Sequence, residues 1–212
     1  MFDVMRLICF GDSWTAGHGI ENNIEYKEIA NPPTFVEKLR TQNSWPRWVA
    51  NKLGEIEFVN MGVCGYGNEY IFREIESAIK NNFIEKTDIV IVMFSYPYRY
   101  TADTYTVIEV YNKIENILSD YKHFYLNSFF PTFKYETEIN TNELPSFFIN
   151  PNGTVSDILK EYELNNNISV WEHNSRLVWN DEQNFYEGDY HPNLLGYKII
   201  GQYIYNSIVD KI

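Results

Sequence analysis

Short apolar runs and helix-period segments alternate from one end of the chain to the other, and that alternation limits the fold more than any other feature. Runs near 5–10, 57–60, 89–94 and 124–129 read as strands, and a further strand is expected at 168–171. Ser44 is placed to cap a helix whose Trp45, Trp48, Val49 and Leu53 share one face, and further helices are expected over about 69–82 and 107–121. Pro192 stands at the first turn of a last helix, with Leu195, Ile199, Ile200, Tyr203 and Ile204 at core spacing. Strands separated by helices must be joined by crossovers, which makes their pairing parallel. In such a sheet the ligand crevice lies beyond the carboxyl ends of the strands, and Ser13, Gly65 and Ser95 each closely follow a strand. Three loops are therefore expected to converge on one crevice, to which the loop before the last helix can bring His191.

The 212 residues suffice for one well-buried α/β core and are too few for two comfortable domains, so 1–212 is read as a single domain. Asp and Glu number 29 against 17 Lys and Arg, and the net charge of −12 argues against a nucleic-acid backbone or an anionic membrane surface as the main partner. The first apolar run is short and contains Arg6, so neither a signal peptide nor a membrane span is expected; a cytoplasmic or virion-associated protein is. In that setting Cys9 and Cys64 are expected to be free thiols. The histidines and cysteines lack metal-ligand spacing, Gly65-Tyr66-Gly67 is too short for a dinucleotide fingerprint, and no phosphate-loop motif occurs. Chemistry without metal or cofactor is the expectation.

Residues suited to such chemistry stand at the two ends. Gly11-Asp12-Ser13 puts a small hydroxyl where a buried strand becomes a loop, and Gly188-Asp189-Tyr190-His191-Pro192 sets a carboxylate and an imidazole at the start of the last helix. A serine hydroxyl is a weak nucleophile near neutral pH; it needs a base to take its proton and a third group to hold that base. His191 fits the base and Asp189 the orienting acid, with Glu187 and Asp181 as alternative carboxylates. The Gly-x-Ser-x-Gly elbow of α/β-hydrolases is not matched, because position 15 is threonine. Together with Asn60-Met61-Gly62-Val63-Cys64-Gly65-Tyr66-Gly67-Asn68, these blocks resemble, in order, those of the SGNH (GDSL-type) hydrolases.

The resemblance implies a three-layer α/β/α sandwich with a flavodoxin-like central parallel sheet of about five strands. It also implies an ester hydrolase with Ser13 as nucleophile and the amides of Ser13 and Gly65 in the oxyanion hole, where a good donor is worth about 3 kcal/mol. The family's third block, Gly-x-Asn-Asp after strand three, is not matched, since that strand runs into Ser95-Tyr96-Pro97-Tyr98-Arg99. Asn68 is the nearest amide able to replace the missing donor, and Arg99 is a second, weaker candidate. The acid is displaced too: Gly188 stands three residues before His191, and Asp189 only two.

The remaining candidates have simpler readings. Asp12 reads as a loop-structuring carboxylate, His18 as a solvated loop histidine, and His123 and His173 as structural. Insertions near 18–43 and 131–165 interrupt the alternation, and loops this long commonly cover a site or bind something. The second holds the aromatics Phe133, Tyr135, Phe147 and Phe148, just after Phe129 and Phe130. Either they pack the insertion onto the body or they form a sugar- or acyl-binding platform. Two functions from different classes follow: a serine esterase or deacylase acting on short acyl esters, O-acetyl groups of a glycan among them, or a weakly active or non-catalytic carbohydrate-binding module. The expected partner is a small-molecule or glycan ester, and the oligomeric state is left open.

Overall fold

A computed structural model describes residues 5–18, 38, 40–95, 107–128, 149, 153–170 and 191–212. Strands β1 (Arg6–Gly11), β2 (Glu57–Gly62), β3 (Ile89–Phe94) and β4 (Lys122–Asn127) pair in parallel in the flavodoxin-like order β2-β1-β3-β4. β1 and β3 are central. β3 is apolar at every position and buried throughout, as a parallel strand covered on both faces must be. Alternation along β1 divides the interior, with Leu7 and Cys9 on one face and Ile8 and Phe10 on the other.

Helices among the described residues include α1 (Ser13–Ala16), α2 (Trp45–Lys52), α3 (Asn68–Lys80), α4 (Val107–Leu118), α5 (Val155–Asn166) and α6 (Leu194–Ile208). Trp45 and Val49 of α2, Leu159 of α5 and Ile200, Ile204 and Ile208 of α6 cover the Leu7 and Cys9 face. Ile71 and Ile75 of α3 and Ile114 and Leu118 of α4 cover the Ile8 and Phe10 face. The result is a three-layer α/β/α sandwich. Because α2 connects β1 to β2 on one face while α3 and α4 make the following crossovers on the other, the connections leaving β1 and β3 diverge. In open α/β sheets that is the point at which a ligand crevice forms, and here it falls beyond the strand ends that carry Ser13 and Ser95.

The sheet has four strands among the described residues, compatible with the expected sheet of about five. Three local expectations are corrected. Residues 168–170 are irregular, and Trp171 lies outside the described residues. The carbonyls of Ser169 and Val170 accept hydrogen bonds from the Asn193 side chain (3.0 Å) and backbone N–H (2.9 Å), so they are taken by the loop before α6. Ser44 does occupy the N-cap position of α2, but its hydroxyl donates to the Thr41 carbonyl and accepts from Asn60 instead of capping the helix. Asn193, not Pro192, opens α6: its side chain accepts from the Gly196 N–H at 3.0 Å, which leaves Pro192 just ahead of the cap.

Arg6, the charge inside the first apolar run, pairs in bidentate fashion with the fully buried Asp88 at 3.0 and 2.6 Å. The Asp88 hydrogen bond holds the guanidinium pKa above its ordinary value. Asp88 also accepts the Glu85 N–H, so one ion pair joins the start of β1 to the turn entering β3. Among the described residues no helix is long and apolar enough to cross a membrane.

α6 crosses α2 at Gly201, where an added Cβ would lie 2.5 Å from Trp48 Cβ and 3.2 Å from the Trp45 carbonyl oxygen. Neither neighbour is a flexible side-chain end. Gly201→Ala is therefore expected to lower stability by about 1–3 kcal/mol, the usual range for overpacking, as a drop in the urea midpoint with an unchanged slope.

Candidate active site

The loop after β1 is held by what its neighbours lack. A Cβ on Gly11 would lie 2.1 Å from Thr15 Oγ1, and one on Gly62 would lie 2.4 Å from the Ala16 nitrogen, so both glycines are needed for α1 to rest on the ends of β1 and β2. Asn60 completes the seat: its Nδ2 donates to the Thr15 carbonyl at 2.7 Å and its Oδ1 accepts from the Gly62 N–H at 3.0 Å. Trp14, fully buried, anchors the same turn in the core. Ser13 is thereby presented at the first position of α1, capped by Asp12, whose Oδ1 accepts the Trp14 N–H at 3.0 Å.

The loops after β2 and β3 meet beside it. Gly65 has φ of 86°, and nothing lies within 4 Å of where its Cβ would be, so the left-handed backbone and not crowding calls for glycine there. Asn68, the first residue of α3, clamps Ser95: its Oδ1 accepts the Ser95 N–H at 2.8 Å and its Nδ2 donates to the Ser95 carbonyl at 3.2 Å. The Ser95 hydroxyl donates to Asp12 Oδ2 at 2.7 Å. A primary amide has two N–H hydrogens, so Asn68 can brace Ser95 and still offer one donor.

His191 is 6 % exposed and faces His18, whose Nδ1 lies 3.2 Å from His191 Nε2 and 3.3 Å from its Nδ1, with the two rings nearly perpendicular. His18 is tied at both backbone ends. Its N–H donates to the Ser13 carbonyl at 2.9 Å, and its own carbonyl accepts from the buried Tyr197 hydroxyl of α6 at 2.8 Å. Ser13 and His191 are thus bridged through one residue, although no hydrogen bond among the described residues joins Ser13 Oγ to His191 directly.

Of the sequence-derived candidates, Ser13, Gly65, Asn68 and His191 fall in the described structure. Asp189, its alternatives Glu187 and Asp181, Arg99, His173 and the aromatics Phe129, Phe130, Phe133, Tyr135, Phe147 and Phe148 lie outside the described residues. His123 is buried beside the Tyr121 carbonyl and Glu115, away from this cluster. No group of three His, Cys, Asp or Glu side chains is gathered as metal ligands would be, among the described residues.

No protein-family model matches the sequence, and no curated protein matches it. Among solved structures, the lipase Lip_vut3 from a goat rumen metagenome superposes with a TM-score of 0.52 at 14% identity, covering 96% of this chain and 97% of that one. The C-terminal catalytic domain of peptidoglycan O-acetyltransferase A from Streptococcus pneumoniae gives 0.51 at 10% identity, over 98% and 94% of the two chains. A member of the lipolytic G-D-S-L family from Veillonella parvula aligns over 98% of both chains at 18% identity, with a TM-score of 0.45. The fold expected from the SGNH resemblance is the fold observed. At such identities the likeness concerns architecture, and any chemistry rests on this chain's own residues.

Three members of this cluster make contacts that the sequence does not announce, and His18, expected to be solvated, is instead set against His191. His18 had no visible partner because His191 is 173 residues away in sequence, and only the turn closed by Gly17 (φ 79°) folds it back. Asp12 and Ser95 are each unremarkable in a loop, and nothing in their spacing announces a hydrogen bond between them. Cys64, which precedes Gly65, is exposed, whereas Cys9 is buried in β1, where loss of solvation pushes its thiol pKa well up. Neither is in a disulfide. At about pH 8 iodoacetamide should modify Cys64 and spare Cys9 in the native protein, with the difference abolished in denaturant and read by peptide mass spectrometry.

Proposed function

We propose that this protein is an SGNH (GDSL-type) serine hydrolase that cleaves short acyl esters, with O-acetyl groups on a carbohydrate as the foremost substrate class. The observation that carries the reading is the meeting of Ser13 and His191 across nearly the whole chain, through a His18 bonded to the Ser13 carbonyl and set against the His191 ring. A hydroxyl at the mouth of the crevice and an imidazole brought to it from the last loop are what acyl transfer by a serine requires.

In this mechanism Ser13 Oγ bonds to the ester carbonyl carbon as its proton passes to His191, which Asp189 orients. The amides of Ser13 and Gly65 and the side-chain amide of Asn68 donate to the oxyanion. The carbonyl re-forms as the bond to the leaving alcohol breaks, and the alcohol takes the proton held by His191. Water then adds to the acyl-enzyme as His191 takes its proton, and the Ser13–acyl bond breaks as His191 returns that proton to Ser13 Oγ and the acid departs. No cofactor enters these steps.

The architecture shared with a lipase and with a peptidoglycan O-acetyltransferase domain supports acyl chemistry. The net charge of −12 is poor equipment for an anionic lipid interface, which favours a polar scaffold over a long-chain lipid. A second reading, a carbohydrate-binding module of little or no activity, is favoured by one observation: both ring nitrogens of His191 lie against His18 Nδ1. Catalytic hydrogen bonds commonly tighten only when substrate binds, so the hydrolase reading stands ahead.

Two outcomes are expected. A fluorophosphonate probe should form an adduct on Ser13, located by peptide mass spectrometry and lost in Ser13→Ala; a wild-type protein that does not label at Ser13 favours the binding module. With p-nitrophenyl esters, kcat/KM should be highest for acetate and fall through butyrate, octanoate and palmitate, with acetate released from acetylated glycans. A preference for octanoate or palmitate without acetate release would point to a lipase or thioesterase.

A further inference from the structure

We infer that Ser95 and Asp12 are positioning residues for the oxyanion hole, acting through the hydrogen bond that ties the end of β3 to the residue before the nucleophile. The inference rests on Ser13 being that nucleophile. Where the SGNH family carries its third block, this chain has a serine whose every polar atom is engaged. Its hydroxyl donates to Asp12 Oδ2 at 2.7 Å, its N–H donates to Asn68 Oδ1 at 2.8 Å, and its carbonyl accepts from Asn68 Nδ2 at 3.2 Å.

These bonds connect all three strand ends that meet at the crevice. Asp12 caps α1 through the Trp14 N–H and immediately precedes Ser13. Asn68 starts α3, three residues after Gly65. The route from Ser13 to Gly65 through Asp12, Ser95 and Asn68 is short and made of hydrogen bonds between groups buried to 96 % or more. Together with the Asn60–Thr15 bond and the Val63 N–H donated to Gly11, it sets how far apart the Ser13 and Gly65 amides stand. An oxyanion hole depends on donors held in advance where the charge develops, and a misplacement of about 1 Å can cost about a hundredfold in rate.

The buried setting makes the hydroxyl matter. Without the Ser95 Oγ–H, the fully buried Asp12 loses one donor, and the loop that carries Ser13 loses its side-chain tie to the end of β3. Ser95 thus holds donors in place where the family's asparagine would itself donate. A merely structural serine at the same place would affect the melting temperature and leave the chemical step alone.

The test measures the fluorophosphonate labelling rate at Ser13 and steady-state hydrolysis of p-nitrophenyl acetate for wild type, Ser95→Ala, Asp12→Asn, the double variant and Ser95→Thr, at a temperature where each is folded by circular dichroism. Ser95→Ala and Asp12→Asn should each lower labelling and kcat by about tenfold or more with KM within about twofold. Because they break one bond, the double variant should be no slower than the slower single variant. Ser95→Thr, which keeps the hydroxyl, should recover to within about threefold of wild type. Wild-type rates in a single variant, multiplying losses in the double, or a folded Ser95→Thr as slow as Ser95→Ala would each overturn the inference while leaving Ser13 as nucleophile. A wild-type protein that does not label at Ser13 overturns the hydrolase reading and this inference with it.

Discussion

Parallel pairing of β1 with β3 is the constraint on which the rest of the structure depends. Both strands are buried on both faces, so the sheet is stable only with helices on each side. Crossovers of opposite side leave the β1 and β3 ends next to one another with no helix between them. Pairing of Phe10 with Val92 brings the two strands level near their carboxyl ends, so Asp12 and Ser95 emerge side by side. A buried carboxylate and a hydroxyl placed so close form a hydrogen bond because neither has water to turn to.

The polar residues at this end of the sheet act by tying loops to one another, whereas the apolar ones act by area. Asn60, Asn68 and Asp12 satisfy backbone groups where strands stop and ladder bonds run out, and the Ser95 hydroxyl ties to the Asp12 carboxylate. Each such bond is worth only about 1 kcal/mol net, yet removing one partner in a closed site leaves an unpaired group and costs more. Their contribution is therefore geometric. They determine which loop conformation accompanies a sandwich whose stability comes from Trp14, Trp45, the β3 side chains and α6.

At the opposite end of the strands, Arg6 and Asp88 do similar work in charged form. Asp88 is fully buried and satisfied by the guanidinium and by the Glu85 N–H, so the ion pair is supported on more than one side. An arginine inside the first apolar run, which counts against a membrane span when read in sequence, proves to be the group that closes the lower end of the sheet.

Residue order alone was enough for the architecture: strands at 89–94 and near 5–10, the helices between them and their parallel arrangement follow from periodicities that depend on local backbone geometry. Ser13, Gly65 and His191 were expected at one crevice from the same alternation, since they stand in loops beside strand ends and ahead of the last helix, whereas Asn68 was named only through the family resemblance. Contacts between distant segments were not. That 168–170 would give its carbonyls to Asn193, that Ser44 would turn from its helix to Thr41, and that His18 would stand against His191 were all decided by which groups lay nearest once the layers had packed. Periodicity states which face of an element is buried. Hydrogen-bond partners across the fold depend on ångström-scale distances, and those exist only after the chain has closed on itself.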